Sequence, residues 1–539
     1  VPHPRRARAT ALARCAAILA VPLALSCAPR QPAQSWWRHV RWLADDAREG
    51  RETGSPGYLA AAQYVAHEFQ LAGAKPAGPG GYFEPVAFVA RRVLERECSV
   101  ALERPGREHA DTLTLGDDAN LSSSIDEADS IDAPAVFAGH GLELPEAGLH
   151  DLEGLDLRGA VVIVLRGAPR DVPSTVAAHA QAAGERWARL RERGALGMIL
   201  IPNPDAQSIP WERARLSRLE EGFSLADTSI DERAGMRFAM YANPARAERF
   251  FAGSGHTFAE ILRSARTEQP LPRFALPYRI RARIKMSRRR VESPNVVGVV
   301  PGSDPALRGE SVVLSAHLDH LGVGAPVAGD SIYNGAMDNA SGVATLIEIA
   351  RALHAAPHPL RRSVVLLAVT GEEKGLLGSR AFATHPPPGV GRMVADLNLD
   401  MFLPIGPLRS VIAYGIDESD LGDWFRAAAE SSSVKVEPDP EPAQTIFVRS
   451  DQYNLVLAGV PALFVEMGSG GDSALARKFK LWRQTRYHAP SDDVRQPIDF
   501  AAADGFNRLL LRFCRDVADR PERARWKADS FFRRYERTP

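Results

Sequence analysis

From Asn295 onward, short runs of branched apolar residues alternate with amphipathic stretches of helical period, and three of the five runs stop at residues able to do chemistry. Val296 to Val300 closes on Pro301-Gly302. Val312 to Ala316 ends at His317, Val364 to Val369 at Gly371-Glu372-Glu373, and Val394 to Leu399 at Asp400; Ala462 to Val465 is the fifth. Between the second and third, Ser341 reads as the cap of a helix running to about Leu353, with Val343, Leu346, Ile347 and Ala350 on its inner face. Strands alternating with helices predict a mostly parallel sheet covered on both faces. In such sheets reactive groups gather at the carboxyl ends of the strands, where His317, Glu372, Glu373 and Asp400 fall.

Two histidines and three separated carboxylates, with a spare glutamate beside one of them, suit a pair of zinc ions and a water-activating base. Zinc takes imidazole and carboxylate ligands, and two zincs roughly 3.5–4 Å apart need a bridging carboxylate. Asp338, in a loop directly before a helix, fits the bridge. One ion would then take His317 and Asp400, and the other Glu373 and His488. Asp319, two residues from His317, is placed to accept the second ring proton of an imidazole. Glu372 is the expected general base, and Tyr487, beside His488, the expected hydrogen-bond donor to an oxyanion. Each pair alone also reads as a surface feature, and Asp338 alone as a helix cap. Their joint occurrence at strand ends favours the metal site. His320, His354, His358 and His385 lack that context and read as surface or packing residues.

A chain of 539 residues suggests two or three domains. Basic and acidic residues balance at 66 each, so no electrostatic argument favours nucleic acid or an anionic membrane as partner. Arg5, Arg6, Arg8 and Arg14 precede an apolar run from Cys15 to Ser26, too short to span a bilayer, which predicts an export leader over residues 1–27. The small residue before Cys27 resembles a bacterial lipoprotein cleavage site, although Ala24 stands where leucine is usual. The expected location is therefore periplasm, cell envelope or exterior, with Cys27 as the single candidate for a lipid anchor. Cys98 and Cys514 remain, as one disulfide or two buried thiols.

Trp36 to about Phe88 is helical in pattern, with Gly54-Ser55-Pro56-Gly57 as a turn opening a helix. Between about Ala133 and Asn203, Val161 to Leu165 and Gly197 to Ile201 read as strands around an arginine-rich helix from about Ala177 to Arg193.

Taken together, Ser315 to Gly322, Ile332 to Gly342, Thr370 to Ser379, Asn398 to Met401 and Tyr487 to Asp493 resemble the two-zinc aminopeptidases of metallopeptidase family 28. The stretch from Ala133 to about Pro277, with Phe137 to Gly141 and Gly154 to Gly159, resembles the protease-associated domain often inserted in that family. Arg41 to Gly54 resembles the family's N-terminal peptidase segment. The resemblance implies an α/β zinc peptidase domain of the phosphorylase/hydrolase-like class, with a mixed, mostly parallel sheet flanked by helices, plus a β-rich insert. The expected divisions are 36–132 and 278–520 for the peptidase, 133–277 for the insert and 521–539 for a tail.

By the same resemblance the ligands are His317, Asp338, Glu373, Asp400 and His488, the base Glu372, and the oxyanion donor Tyr487. Arg449-Ser450-Asp451 would line the substrate pocket. Met337 and Gln452 depart from the usual pattern, the first from a small or acidic residue and the second from histidine. The implied activity is zinc-dependent removal of N-terminal residues from peptides, with two zinc ions per chain. A carboxypeptidase or amidohydrolase of the same fold is the alternative, and a non-catalytic binding protein the third reading.

Overall fold

The computed structural model describes residues 32–206 and 209–537, so the expected leader and Cys27 lie outside the described residues. Nine strands follow one another across the larger sheet, in the order Gly222–Leu225, Phe83–Val93, Met286–Val300, Ser363–Val369, Glu310–His317, Arg392–Asn398, Ala462–Met467, Ser410–Tyr414 and Lys435–Glu437. A tenth, Lys75–Pro76, pairs with Met286–Val300 off this path. The four central strands, from Ser363–Val369 to Ala462–Met467, are mutually parallel, and antiparallel partners flank them on both sides. All seven residues of Ser363–Val369 and all eight of Glu310–His317 are buried, as expected where helices cover both faces.

One face is covered by Pro32–Leu43, Pro56–Leu71, Ser341–His354 and Phe500–Asp519, whose apolar sides share a core with the sheet. Ser55 accepts a hydrogen bond from the Tyr58 amide at 3.1 Å, and Pro56 fills the first helical position, so that helix starts where the turn signal predicts. The expected cap at Ser341 is replaced by its neighbour. Ser341 Oγ donates back to Met337 O at 2.7 Å, while Asn339 Oδ1 accepts from the Gly342 amide at 2.9 Å. The helical pattern that begins near Trp36 ends at Leu71, and the chain is extended from Phe83, earlier than periodicity alone suggests.

A second sheet, in the order Asp111–Thr112, Ser99–Glu103, Arg273–Ile284, Ala128–Ala138, Val161–Leu165, Gly197–Ile201, Phe238–Ala242 and Ala119–Leu121, has its own core of Phe137, Ile163, Trp187, Phe251 and their neighbours. It begins at Ser99 rather than near 133, because Ser99–Glu103 pairs with Arg273–Ile284. Inside the range expected for the insert, Gly222–Leu225 leaves this sheet and pairs with the edge strand of the first. The expected single helix near 177–193 is two, Ser174–Gln181 and Ala183–Glu192.

Residues 521–537 pack rather than trail. Trp526 and Phe532 are buried with Phe447, Tyr453 and Ala178, and Ser530 Oγ donates to Glu418 Oε2 at 2.6 Å. Cys98 and Cys514 are free, which resolves that alternative toward thiols. Among the described residues no helix is long and apolar enough to cross a membrane.

Candidate metal centre

Five side chains separated by up to 171 positions in sequence (317 to 488) meet at the carboxyl ends of the central strands. His317 ends Glu310–His317, and its Nε2 lies 3.2 Å from Asp338 Oδ1 and 3.1 Å from Asp400 Oδ1. On the other side, His488 Nε2 lies 3.4 Å from Asp338 Oδ2 and 3.2 Å from Glu373 Oε2. The Asp338 carboxylate therefore stands between two imidazoles, one oxygen toward each. Glu372 Oε2 is 4.0 Å from His317 Nε2. The peptide between Asp338 and Asn339 is cis.

The loops that carry these groups are fastened to one another. Asp492 accepts from the Met337 amide at 3.0 Å and the Asp338 amide at 3.0 Å, joining the His488 loop to the segment that carries the Asp338 carboxylate. Arg51 is fully buried, and its guanidinium donates to the carbonyls of Leu318, Leu43, Asn334 and Gly335. Gly335 itself has φ +60°, and a Cβ there would stand 2.2 Å from Asp338 O and close to the His320 ring. Only glycine fits that turn.

Asp319 departs from its expected part. The His317 Nδ1 partner is the backbone carbonyl of Asp319, at 3.1 Å, not its side chain. The carboxylate accepts from the Glu372 and Glu373 amides at 3.1 and 3.3 Å and from Thr53 Oγ1 at 3.0 Å. It thereby holds the turn that points the two glutamates in different directions. His320, read from sequence as a packing residue, is fully buried and its Nδ1 lies 2.7 Å from Glu373 Oε1. It orients Glu373, a role visible only once Glu373 is assigned. His354, His358 and His385 have no part in the cluster.

The segment expected to line the pocket divides three ways. Arg449 lines it, donating from Nη2 to the Tyr487 hydroxyl at 3.1 Å. Ser450 lies behind it, donating to Asp400 Oδ2 at 2.6 Å while accepting from Asn398 Nδ2 at 2.7 Å. Asp451 is fully buried, and burial pushes its carboxyl up to about 7. Gln452 is a packing residue that accepts from Asn398 and donates to Phe447 O, and Met337 is buried in the core. Neither departure from the family pattern reaches the cavity.

Electrostatics separate the two adjacent glutamates. Burial, reinforced by Glu373 and Asp400, holds the Glu372 carboxyl well above the usual range despite His317. Burial acts the same way on Glu373, but His488 and His320 overcome it and hold that carboxyl well below the usual range. The two adjacent carboxyls are thus shifted in opposite directions, Glu372 toward holding a proton and Glu373 toward the anion. Burial would depress the His317 imidazole, yet Glu372, Asp400 and Asp338 raise it well above the ordinary value, and Glu373 does the same for His488. The cluster demands positive charge. Asp338 Oδ2 is buried without a hydrogen-bond donor, and a divalent cation between carboxylate and imidazole meets both needs. The residues fit a metal pair.

Residues 295–514 match the sequence model for Peptidase family M28. In fold the chain is similar to an aminopeptidase from Aneurinibacillus sp. strain AM-1, with a TM-score of 0.53 and 18% identity over 92% of this chain and 95% of that one. A zinc aminopeptidase from Bacillus subtilis gives a TM-score of 0.45 at 16% identity over 91% and 96%. A peptidase M28 precursor from Shewanella amazonensis SB2B gives 0.46 at 18% over 92% and 97%.

Proposed function

We propose that this protein, whose residues 295–514 match the sequence model for Peptidase family M28, is a two-zinc exopeptidase that releases N-terminal residues from peptides. The observation that carries the reading is the convergence of His317, Asp338, Glu373, Asp400 and His488 in one cluster, with Glu372 lining the cavity beside His317, Asp338, Asp400 and His488. His317 and Asp400 would hold one ion, Glu373 and His488 the other, and Asp338 would bridge. The similarity in fold to a solved aminopeptidase supports the same assignment.

Bound zinc would polarise the scissile carbonyl and lower the pKa of water. The rest falls to the chain's own groups. Glu372, with its raised proton affinity, takes a proton from the attacking water and returns it to the leaving amine. The Tyr487 hydroxyl, kept neutral by burial and oriented by Arg449, donates to the oxygen that gains charge as the carbon becomes tetrahedral. Asp319 keeps Glu372 and Glu373 in register throughout.

The protease-associated identity of the second sheet is part of this proposal, supported by its separate core and its place between two peptidase segments in sequence. The decisive experiment measures hydrolysis of free and N-acetylated peptides with and without a chelator. Free peptides should be cleaved, acetylated ones spared, and chelation should abolish turnover until zinc is restored. Cleavage of acetylated peptides from the carboxyl end would replace the aminopeptidase reading with its carboxypeptidase alternative.

A further inference from the structure

The cavity wall that carries Arg449 is held by parts of the chain that the proposed chemistry does not use. Thr445 opens the short turn Ile446–Val448 with φ +55°. That conformation is costly for a β-branched residue and persists only where neighbours hold it. Ile446 and Arg449 line the cavity beside His317 and Asp400. Phe447 packs instead in a buried cluster with Tyr453, Trp526 and Phe532.

At that cluster the C-terminal segment meets the first domain and the helix Ser174–Gln181 of the second. The rings of Phe447 and Phe532 have centroids 5.2 Å apart. Trp526 Nε1 donates to Gly459 O at 3.2 Å, and a Cβ at Gly459 would stand 2.3 Å from Tyr535 O. Only glycine seats the segment there. One carboxylate, Glu418, accepts from Ser530 Oγ of the segment at 2.6 Å and from Thr175 Oγ1 of the helix at 2.5 Å. His179, buried on the same helix, has Nδ1 2.6 Å from the Tyr453 hydroxyl and Nε2 3.4 Å from the Tyr535 hydroxyl. Burial pushes its imidazole down to about 4, so the neutral ring offers one donor and one acceptor to the two hydroxyls.

The joint leads back to the reacting groups through Phe447. Its carbonyl accepts from Gln452 Nε2 at 2.8 Å, and two residues along Arg449 Nη2 donates to the Tyr487 hydroxyl at 3.1 Å. Resting on the peptidase reading above, we infer that the C-terminal segment from Trp526 to Tyr535 is a positioning element of the site. By seating Phe447 it holds the strained turn, and so aims Arg449 and the Tyr487 hydroxyl at the oxygen that gains charge. None of its residues lines the cavity. Its effect therefore falls on the chemical step rather than on substrate binding.

The test is a double-mutant cycle on leucine nitroanilide with the zinc-loaded full chain. Phe532→Ala should lower kcat by about ten- to hundredfold, the scale of a misplacement near 1 Å, with KM changed by less than about threefold. Zinc content should not change. Tyr487→Phe should lower kcat by about 10²- to 10³-fold. Adding Phe532→Ala to it should cost little more, because the segment acts through a hydroxyl already removed. Phe532→Leu, which keeps the apolar contact, should recover most of the rate.

Effects that multiply in the double variant, or wild-type kcat in a folded Phe532→Ala, overturn the positioning role and leave the peptidase reading intact. Tyr535→Ala carries the same cycle if Phe532→Ala does not fold. If the wild type turns over no substrate, the peptidase reading fails separately and hydrogen exchange decides. The Val448 and Arg449 amides donate to the Thr445 and Ile446 carbonyls at 3.2 and 3.0 Å. They should exchange at least about tenfold faster in Phe532→Ala, and unchanged protection there overturns the inference.

Discussion

The two sheets are alike in frame and opposite in charge at their working ends. Each has four mutually parallel strands, Ser363–Val369 to Ala462–Met467 in one and Ala128–Ala138 to Phe238–Ala242 in the other. In both, the carboxyl ends of strands supply groups to the same region. The first presents His317, Glu372, Glu373 and Asp400, and the second presents Arg166, Asn203 and Tyr241. A parallel sheet thus sets where side chains converge but says nothing of what they do, and the residue just past each strand decides that.

The sharpest way to break the comparison is at the base. Glu372→Ala should lower turnover of an aminoacyl-nitroanilide by about 10³-fold, within the range for loss of a general base, while metal content by atomic spectroscopy stays unchanged. Wild-type rates in that variant would end the assignment. Next in size, Phe251→Ala in the second core should cost roughly 3–5 kcal/mol in urea unfolding of that sheet. Hydrogen exchange should show the loss confined to the strands of the second sheet, with Gly222–Leu225, Glu310–His317 and Ser363–Val369 of the first still protected. Equal loss of protection in both sheets would show one cooperative unit instead.

His320→Ala removes the partner of Glu373 and should weaken zinc retention by about 10–100-fold in chelator competition, the usual scale for a group that orients a ligand. An unchanged affinity would return His320 to a packing role. The smallest effect belongs to Glu84, which accepts from Asn295 Nδ2 at 2.8 Å on the first sheet. Burial raises its carboxyl from 4.5 to about 7. The folded chain therefore binds this proton more readily than the unfolded chain does. Its stabilising contribution is complete below pH 4.5 and is lost as pH rises through about 7. Glu84→Gln should remove that slope and raise stability at pH 8 by about 2 kcal/mol, on the basis of ~1.4 kcal/mol per pKa unit discounted for partial solvation. Parallel pH profiles for the two proteins would refute it.

The main sheet and the side chains gathered at its strand ends were legible because each feature is local. A branched apolar run followed at once by His, Glu-Glu or Asp carries both the strand and its chemistry. What escaped depends on distant registers. Nothing near Ser99 indicates pairing with Arg273–Ile284, and nothing in Gly222–Leu225 indicates return to the other sheet. Arg51 looks like any exposed arginine until carbonyls from three separate segments, at Leu43, Leu318 and Asn334-Gly335, surround it. Asp319 was correctly placed beside His317, but its backbone and side chain exchange the parts that proximity suggested. The packing of Phe532 against Phe447 joins positions 85 residues apart, beyond any periodic signal.

Because one carboxylate, Asp319, accepts from both the Glu372 and the Glu373 amides, the proposed base and the proposed ion ligand share a single mooring. Selection for a more reactive base cannot move that turn without disturbing the neighbouring ligand. On the proposed function, laboratory evolution should accordingly find its improvements in the cavity walls, and leave those three residues alone.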